Sequence, residues 1–290
     1  MRNLKVFDVR AVQGDSAFLI DDGRTAVLYD SGFAFTGYAV ADKIKAVLGE
    51  RPLDYIFLTH SHYDHALGSV YVKARYPMAK VVAGEYATGI FAKPTAKAVM
   101  RDLDKKCALT HGVTVYEDLI DSLSVDIPVK DGEVVQAGDM SFLVVALPGH
   151  TKCSVGFYLA ENKLLLGTET IGVYAGGDVV VPSYLVGYRM AMDSIDKVRG
   201  MEIENVLVPH FGLLDREDTV RYIENGKKNA EETARQIVDI LKQGGTHEDA
   251  FHHFKDRFYH GYVKEIYPID AMTLNTNIMI SLIQKELCGM

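Results

Sequence analysis

Cysteine is scarce in this chain of 290 residues: Cys107, Cys153 and Cys288 are far apart, odd in number, and form no CxxC pair. That excludes a disulfide scaffold and a zinc ribbon as the device that organises the fold. Long apolar runs are also missing. None approaches the roughly 18 residues that a membrane helix requires, so no membrane partner is expected. The opening MRNLKVFDVRAVQGDSAFLI spreads its charges throughout and has no uninterrupted apolar core, unlike a secretory signal, and a cytoplasmic location is the expectation. Positive charge is in deficit, with 31 Lys and Arg against 39 Asp and Glu and a net charge of −8. A general nucleic-acid binder needs the opposite balance, because its affinity rests on neutralising phosphates, and no nucleic-acid partner is expected. Solenoid repeats and low-complexity segments are absent too.

What is present is ordinary globular composition, 48% hydrophobic and 24% charged, with material for a full core. LKVFDVRAV, SAFLID and TAVLYD read as short strands, and the turns GDS and DDGR between them suggest antiparallel pairing. Val40, Ile44 and Val47 recur at helical spacing. Residues 53–58 (LDYIFL) form a compact apolar strand, a helix is expected from about Ala66 to Arg75, and KVVA at 80–83 is the next strand. Residues 85–127 mix helical patterns with Pro94 and Gly112 and are expected to form an insertion. Strand character returns between Val134 and Leu166. A helix over roughly 188–198 then precedes the short strand NVLVP. After Gly212, an apolar stripe on an otherwise charged segment predicts helices to the end. The expected division is a catalytic domain over 1–214 and a helical C-terminal extension over 215–290, whose surface could serve a homodimer.

The segment Thr59-His60-Ser61-His62-Tyr63-Asp64-His65 places four metal-capable side chains within six residues, directly after an apolar strand. A strand end and a tight loop can aim His60 and His62 into one pocket. Asp64 and His65 then come round from the turn into a helix. Imidazole and carboxylate suit zinc, iron or manganese, and the lack of thiolate argues against a closed structural zinc site. Three further candidates also follow apolar strands: His150 in LPGHTKCS, Glu169 in LLLGTET and His210 in NVLVPHFG. Strand ends are where loops build sites on rigid supports.

The set resembles the metallo-β-lactamase superfamily, whose signature is HxHxDH, a His after a Pro-Gly turn, a bridging Asp and a last His. The resemblance covers about residues 4–212 and includes Asp30 in LYDSG. It implies an α/β fold, the αββα four-layer sandwich, here with the helical extension. It implies that His60, His62 and His150 hold one divalent metal and Asp64, His65 and His210 a second, zinc ahead of iron or manganese. Glu169 stands where relatives carry a bridging Asp; one methylene longer, it could bridge both metals, bind one, or change their spacing. Asp30 is expected to fix a ligand histidine by hydrogen bonding, or to serve as a turn or helix-capping residue. Cys153 is expected to be a small residue packed near the site.

The implied chemistry is hydrolysis by a water that two metals activate, with Asp64 as the catalytic group that orients the nucleophile or passes on its proton. The family's members include glyoxalase-II-like thioesterases, lactonases, phosphodiesterases, nucleases and β-lactamases. Fold alone cannot choose among them. The helical tail resembles the quinolone-signalling thioesterase-like members, in which C-terminal helices cover the site. With the acidic charge, that favours a small-molecule ester or thioester as substrate. The alternatives are a phosphodiesterase on a small substrate, and a metal-bearing binding or sensor protein of low turnover. Tyr63, Tyr174, Tyr184, Tyr188 and Arg189 are candidate substrate contacts. His247, His252, His253 and His260 on the tail are expected at the surface.

Overall fold

The structure, a computed structural model, describes residues 4–289. Its chain divides into two compact units, one built from residues up to 146 with 155–166, the other from 147–154 and everything from 167 onward.

The first unit opens with the strands β1 (Lys5–Asp8), β2 (Phe18–Asp21) and β3 (Ala26–Tyr29), followed by helix α1 (Gly37–Leu48) and strand β4 (Tyr55–Leu58). Next come the short helix α2 (Tyr63–Ala66), helix α3 (Gly68–Arg75), strand β5 (Lys80–Gly84) and helices α4 (Glu85–Phe91) and α5 (Pro94–Thr110). Strands β6 (Ile127–Val129), β7 (Val134–Ala137), β8 (Met140–Ala146), β9 (Val155–Leu159) and β10 (Leu164–Leu166) complete it. The first sheet runs β1-β2-β3-β4-β5-β6. The three N-terminal strands pair antiparallel, β1 and β2 across the loop 9–17 and β2 and β3 across the short turn 22–25, while β3 to β6 pair parallel through helical crossovers. Strands β7 to β10 pair antiparallel in sequence order in the second sheet.

The two sheets meet through aromatic side chains. Phe57 on β4 lies edge-on to Phe142 on β8 at 5.1 Å between ring centroids and 4.5 Å from Phe157 on β9. All three rings are fully buried. β2, β3 and β9 are buried at every position, so their sequences show no apolar–polar alternation, with Asp21 the one charged residue among them. Helix α1 buries Val40, Ala41, Ile44 and Leu48 at helical spacing and packs against α3 so closely that a Cβ at Gly37 would come within 2.6 Å of Tyr71. The 85–127 region is largely helical. Its α5 begins with Pro94 in the first turn, where the missing N–H costs nothing.

The second unit contains the small hairpin β11 (Val173–Tyr174) and β12 (Val180–Val181), helix α6 (Tyr188–Arg199), and the hairpin β13 (Asn205–Val208) and β14 (Gly212–Leu213). The helices α7 (Arg216–Lys242), α8 (His247–Phe258), α9 (Gly261–Ile266) and α10 (Ile269–Ile283) follow, with a last wide helical turn over Gln284–Cys288. Asp215 caps α7 by accepting from the Asp218 amide at 2.9 Å, and Thr246 with Asp249 forms a reciprocal capping box on α8. Ala191 and Ile195 of α6, Ala230, Ala234 and Ile237 of α7, Phe254 and Phe258 of α8, and Met279, Ile280 and Ile283 of α10 share one apolar core.

That packing alters the expectation for the tail histidines. His252 and His260 are exposed, but His247 and His253 are half-buried. Their Nε2 atoms pair with Asn277 Oδ1 at 2.9 Å and Gln236 Oε1 at 3.0 Å, because α8 lies against its helical neighbours there. Among the described residues, no helix is long and apolar enough to cross a membrane.

Candidate metal centre

Strand β4 ends at Leu58, and Thr59 to His62 continue as loop until α2 begins at Tyr63. His62, with extended backbone (φ −73°, ψ 155°), is the last residue before the helix, and its carbonyl accepts from Ala66 N at 3.0 Å. His60 and His62 therefore come from the loop, Asp64 and His65 from the first helical turn. The His60 ring centroid lies 4.6 Å from that of His62 and 4.0 Å from that of His65. His60 and His65 are buried; His62 and Asp64 are half-buried.

The loop after β3 braces this segment. Ser31 N and Ser31 Oγ both donate to the His65 carbonyl, at 2.8 and 2.7 Å. Gly68 N donates to the Gly32 carbonyl at 3.0 Å. A Cβ at Gly68 would lie 1.8 Å from the Ser31 carbonyl oxygen, so only glycine permits this approach.

Asp30 sits at the centre of that brace, fully buried and in the left-handed region at φ +51°. Its Oδ2 accepts from Ser16 Oγ at 2.9 Å and its Oδ1 from Thr59 N at 2.8 Å. His65 Nδ1 lies 2.7 Å from Oδ2. An ionised carboxylate only accepts, so the His65 proton is on Nδ1 and the Nε2 lone pair faces the other way. The Thr59 hydroxyl lies 3.0 Å from Asp30 Oδ1 and 3.0 Å from His60 Nδ1. By donating to Asp30 it accepts from His60 Nδ1, which orients that ring in the same sense.

The second unit contains His150, Glu169 and His210. His150 Nδ1 lies 2.9 Å from both the carbonyl and the hydroxyl of Ser183, so its proton is also on Nδ1. Glu169 follows β10 and is 8% exposed. Its Oε2 is 2.8 Å from His150 Nε2 and its Oε1 3.1 Å from His210 Nε2. Each carboxylate oxygen thus faces a different imidazole. His210, just past β13, has φ +63°.

Each unit gathers metal-capable side chains: His60, His62, Asp64 and His65 in the first, and His150, Glu169 and His210 in the second. The donor chemistry fits divalent cations. His150 turns a lone pair toward an anionic oxygen at 2.8 Å, an arrangement that calls for a positive centre beside both. The nitrogen and oxygen donors, with no thiolate, suit zinc, iron and manganese alike.

The remaining candidates are placed differently. Tyr63 is half-buried, its ring 5.7 Å from that of Phe33. Tyr174 and Tyr184 are each about 1% exposed and belong to the packed interior of their unit. Tyr188 is half-buried, edge-on to Tyr184 at 5.5 Å. Arg189 is exposed and its guanidinium donates to the Glu286 carbonyl at 3.2 Å. Cys153 is buried with its Sγ 3.2 Å from Thr151 Oγ1. Sequence reasoning missed Ser183, Ser31 and Ser16: isolated serines in loops carry no motif, and only their partners mark them.

Comparison with known proteins gives the family. The family model of the metallo-beta-lactamase superfamily matches residues 11–210, and the chain belongs to that superfamily. A "Glyoxylase B2" of Dictyostelium discoideum is 30% identical over 129 residues, 44% of this chain and 39% of that protein. A "Hydroxyacylglutathione hydrolase" of Stenotrophomonas maltophilia is 31% identical over 144 residues, 50% of this chain and 41% of that one. The chain thus spans only about two fifths of the length of these curated relatives. A solved metallo-beta-lactamase family protein of Thermus thermophilus aligns with a TM-score of 0.65 at 19% identity, covering 99% of this chain and 94% of that one. The fold is therefore the superfamily's α/β sandwich with a helical C-terminal region.

Proposed function

We propose that this protein is a binuclear metal-dependent hydrolase acting on a small thioester or ester. One observation carries the reading: the carboxylate of Glu169 divides its two oxygens between His150 and His210, at 2.8 and 3.1 Å. His60, His62 and His150 would hold one cation, Asp64, His65 and His210 the other, and Glu169 would reach both.

Two divalent cations in such a site polarise a substrate oxygen and bring the pKa of a water towards neutrality. The chain's own residues do the rest. Asp30, Thr59 and Ser183 hold three imidazoles in the tautomer that turns Nε2 inward. Asp64 is half-buried and near solvent, where its carboxylate can orient a water and carry off its proton. Support for an acyl substrate comes from the hydroxyacylglutathione hydrolase among the relatives, and from the net charge of −8, which disfavours a polyanionic nucleic acid.

The test is metal analysis of untreated protein followed by a substrate panel. Acyl thioesters and carboxylate esters should be turned over by the metal-loaded protein and spared after chelation. Preferential cleavage of phosphodiesters would replace the acyl reading with the phosphodiesterase alternative. Two bound metals without turnover of either class would leave a binding or sensor protein.

A further inference from the structure

The loops that bear His150 and His210 are both tied to the C-terminal helical segment. His210 is a non-glycine residue at φ +63°. Such backbone is costly for an L-residue and persists only where the surroundings over-determine it. The surroundings here are specific. Tyr262, in the first turn of α9, donates its hydroxyl to the His210 carbonyl at 2.7 Å. The Tyr262 ring lies edge-on to Phe211 at 5.8 Å, and Phe211 lies edge-on to the buried Tyr174 at 4.6 Å. The peptide that turns the His210 ring toward Glu169 is thereby clamped on its carbonyl side.

His150 is held through a longer chain of contacts. Helix α6 opens at Gly187, which has no side chain to cap it. Glu286, from the last helical turn, supplies the cap: Oε1 accepts from Tyr188 N and Oε2 from Arg189 N, each at 3.0 Å. A carboxylate on the first-turn amides also meets the positive end of the helix dipole. The segment leading into α6 carries Ser183, whose carbonyl and hydroxyl grip His150 Nδ1. In the same segment Leu185 N and Val186 N both donate to the Gly149 carbonyl, each at 2.9 Å.

We propose that the helical segment 261–288 is a built-in positioning element for two metal-binding histidines: Tyr262 acts on His210, and Glu286, through the start of α6, acts on His150. The proposal rests on the metal reading given above. Neither residue is a ligand; each acts by fixing the loop from which a ligand projects.

Cobalt titration of chelator-stripped protein tests it, because visible cobalt bands report ligand geometry independently of turnover. The wild-type chain should take up two equivalents. Tyr262→Phe removes only the hydroxyl and should weaken one equivalent by about 10-fold or more, the usual effect of losing an outer partner of a metal ligand. Its cobalt bands should shift while the far-ultraviolet dichroism stays that of wild type. Glu286→Gln replaces one accepting oxygen by an amide nitrogen and should weaken cobalt binding in the same way. Wild-type affinity and bands in both variants overturn the proposal. Should Tyr262→Phe not fold, Glu286→Gln decides alone by the same readout. A wild-type chain that takes up no cobalt overturns the metal reading itself, a result distinct from two equivalents held equally by all three proteins.

Discussion

His65 Nδ1 and Asp30 Oδ2 stand 2.7 Å apart, both side chains fully buried. The pair converts a tautomer preference into a ligand geometry, since the carboxylate leaves the ring proton only one place to be. Asp30→Asn keeps the shape and inverts the chemistry. Its amide oxygen can still accept from Thr59 N, which turns the NH2 group toward His65 Nδ1. His65 must then accept there and carry its proton on Nε2, where a metal should bind. Metal affinity should fall by about 10- to 100-fold, read by competition with a chromogenic chelator. Unchanged affinity would show that His65 is not held by Asp30 in the way described.

Glu169 offers a second case in which one atom decides. Each of its oxygens meets a different imidazole, at 2.8 and 3.1 Å. Glu169→Asp restores the residue type usual in the family but retracts the carboxylate by one methylene in a site spaced for Glu. Turnover of the best acyl substrate should drop about 100-fold, the scale of a ~1 Å misplacement. A large gain in rate would show instead that Glu169 impairs the site and that the wild-type protein is a low-turnover binder.

The candidate ligands stood out before any coordinates because several sit where an apolar strand stops: Leu58 before His60, Leu166 before Glu169, Val208 before His210. Period and composition mark strand ends well. They mark two-residue strands poorly, and β11 and β12 went unseen because neither is long enough to alternate. Ser183 was hidden for a related reason, as its role exists only through a partner 33 residues away. Tyr174 and Tyr184 read as candidate substrate contacts because tyrosine serves core and surface alike; their burial was decided by α7, α8 and α10, which lie far along the chain. The tail histidines erred the other way, with His247 and His253 drawn into helix contacts that sequence spacing does not reveal.

Asp64 separates binding from proton handling. It is half-buried, whereas the neighbouring His65 is fully enclosed. Asp64→Ala should lose both metal occupancy and hydrolysis. Asp64→Asn retains an oxygen donor but cannot take a proton, so it should keep more metal than the alanine variant while remaining inactive. Full activity on retained metal in the alanine variant would remove Asp64, and with it the proposed handling of the proton, from the mechanism.

Asp104 gives a pH prediction away from the ligands. It is fully buried on α5. Desolvation pushes its carboxyl up from 3.8 to about 6, against the pull of hydrogen bonds from the Tyr116 hydroxyl and the Ala34 and Phe35 amides; the nearby Asp15 charge adds to the rise. The sign follows from proton counting. Between pH 4 and 6 the native state still holds a proton that the unfolded chain has lost, so stability falls as pH rises through that window. The cost is on the order of 3 kcal/mol once both states are ionised. Asp104→Asn removes the charge while its amide oxygen still accepts from Ala34 N. It should flatten the stability profile between pH 4 and 6 and raise the urea midpoint at pH 7. A variant that keeps the wild-type slope across that window would show that burial of Asp104 is not its source.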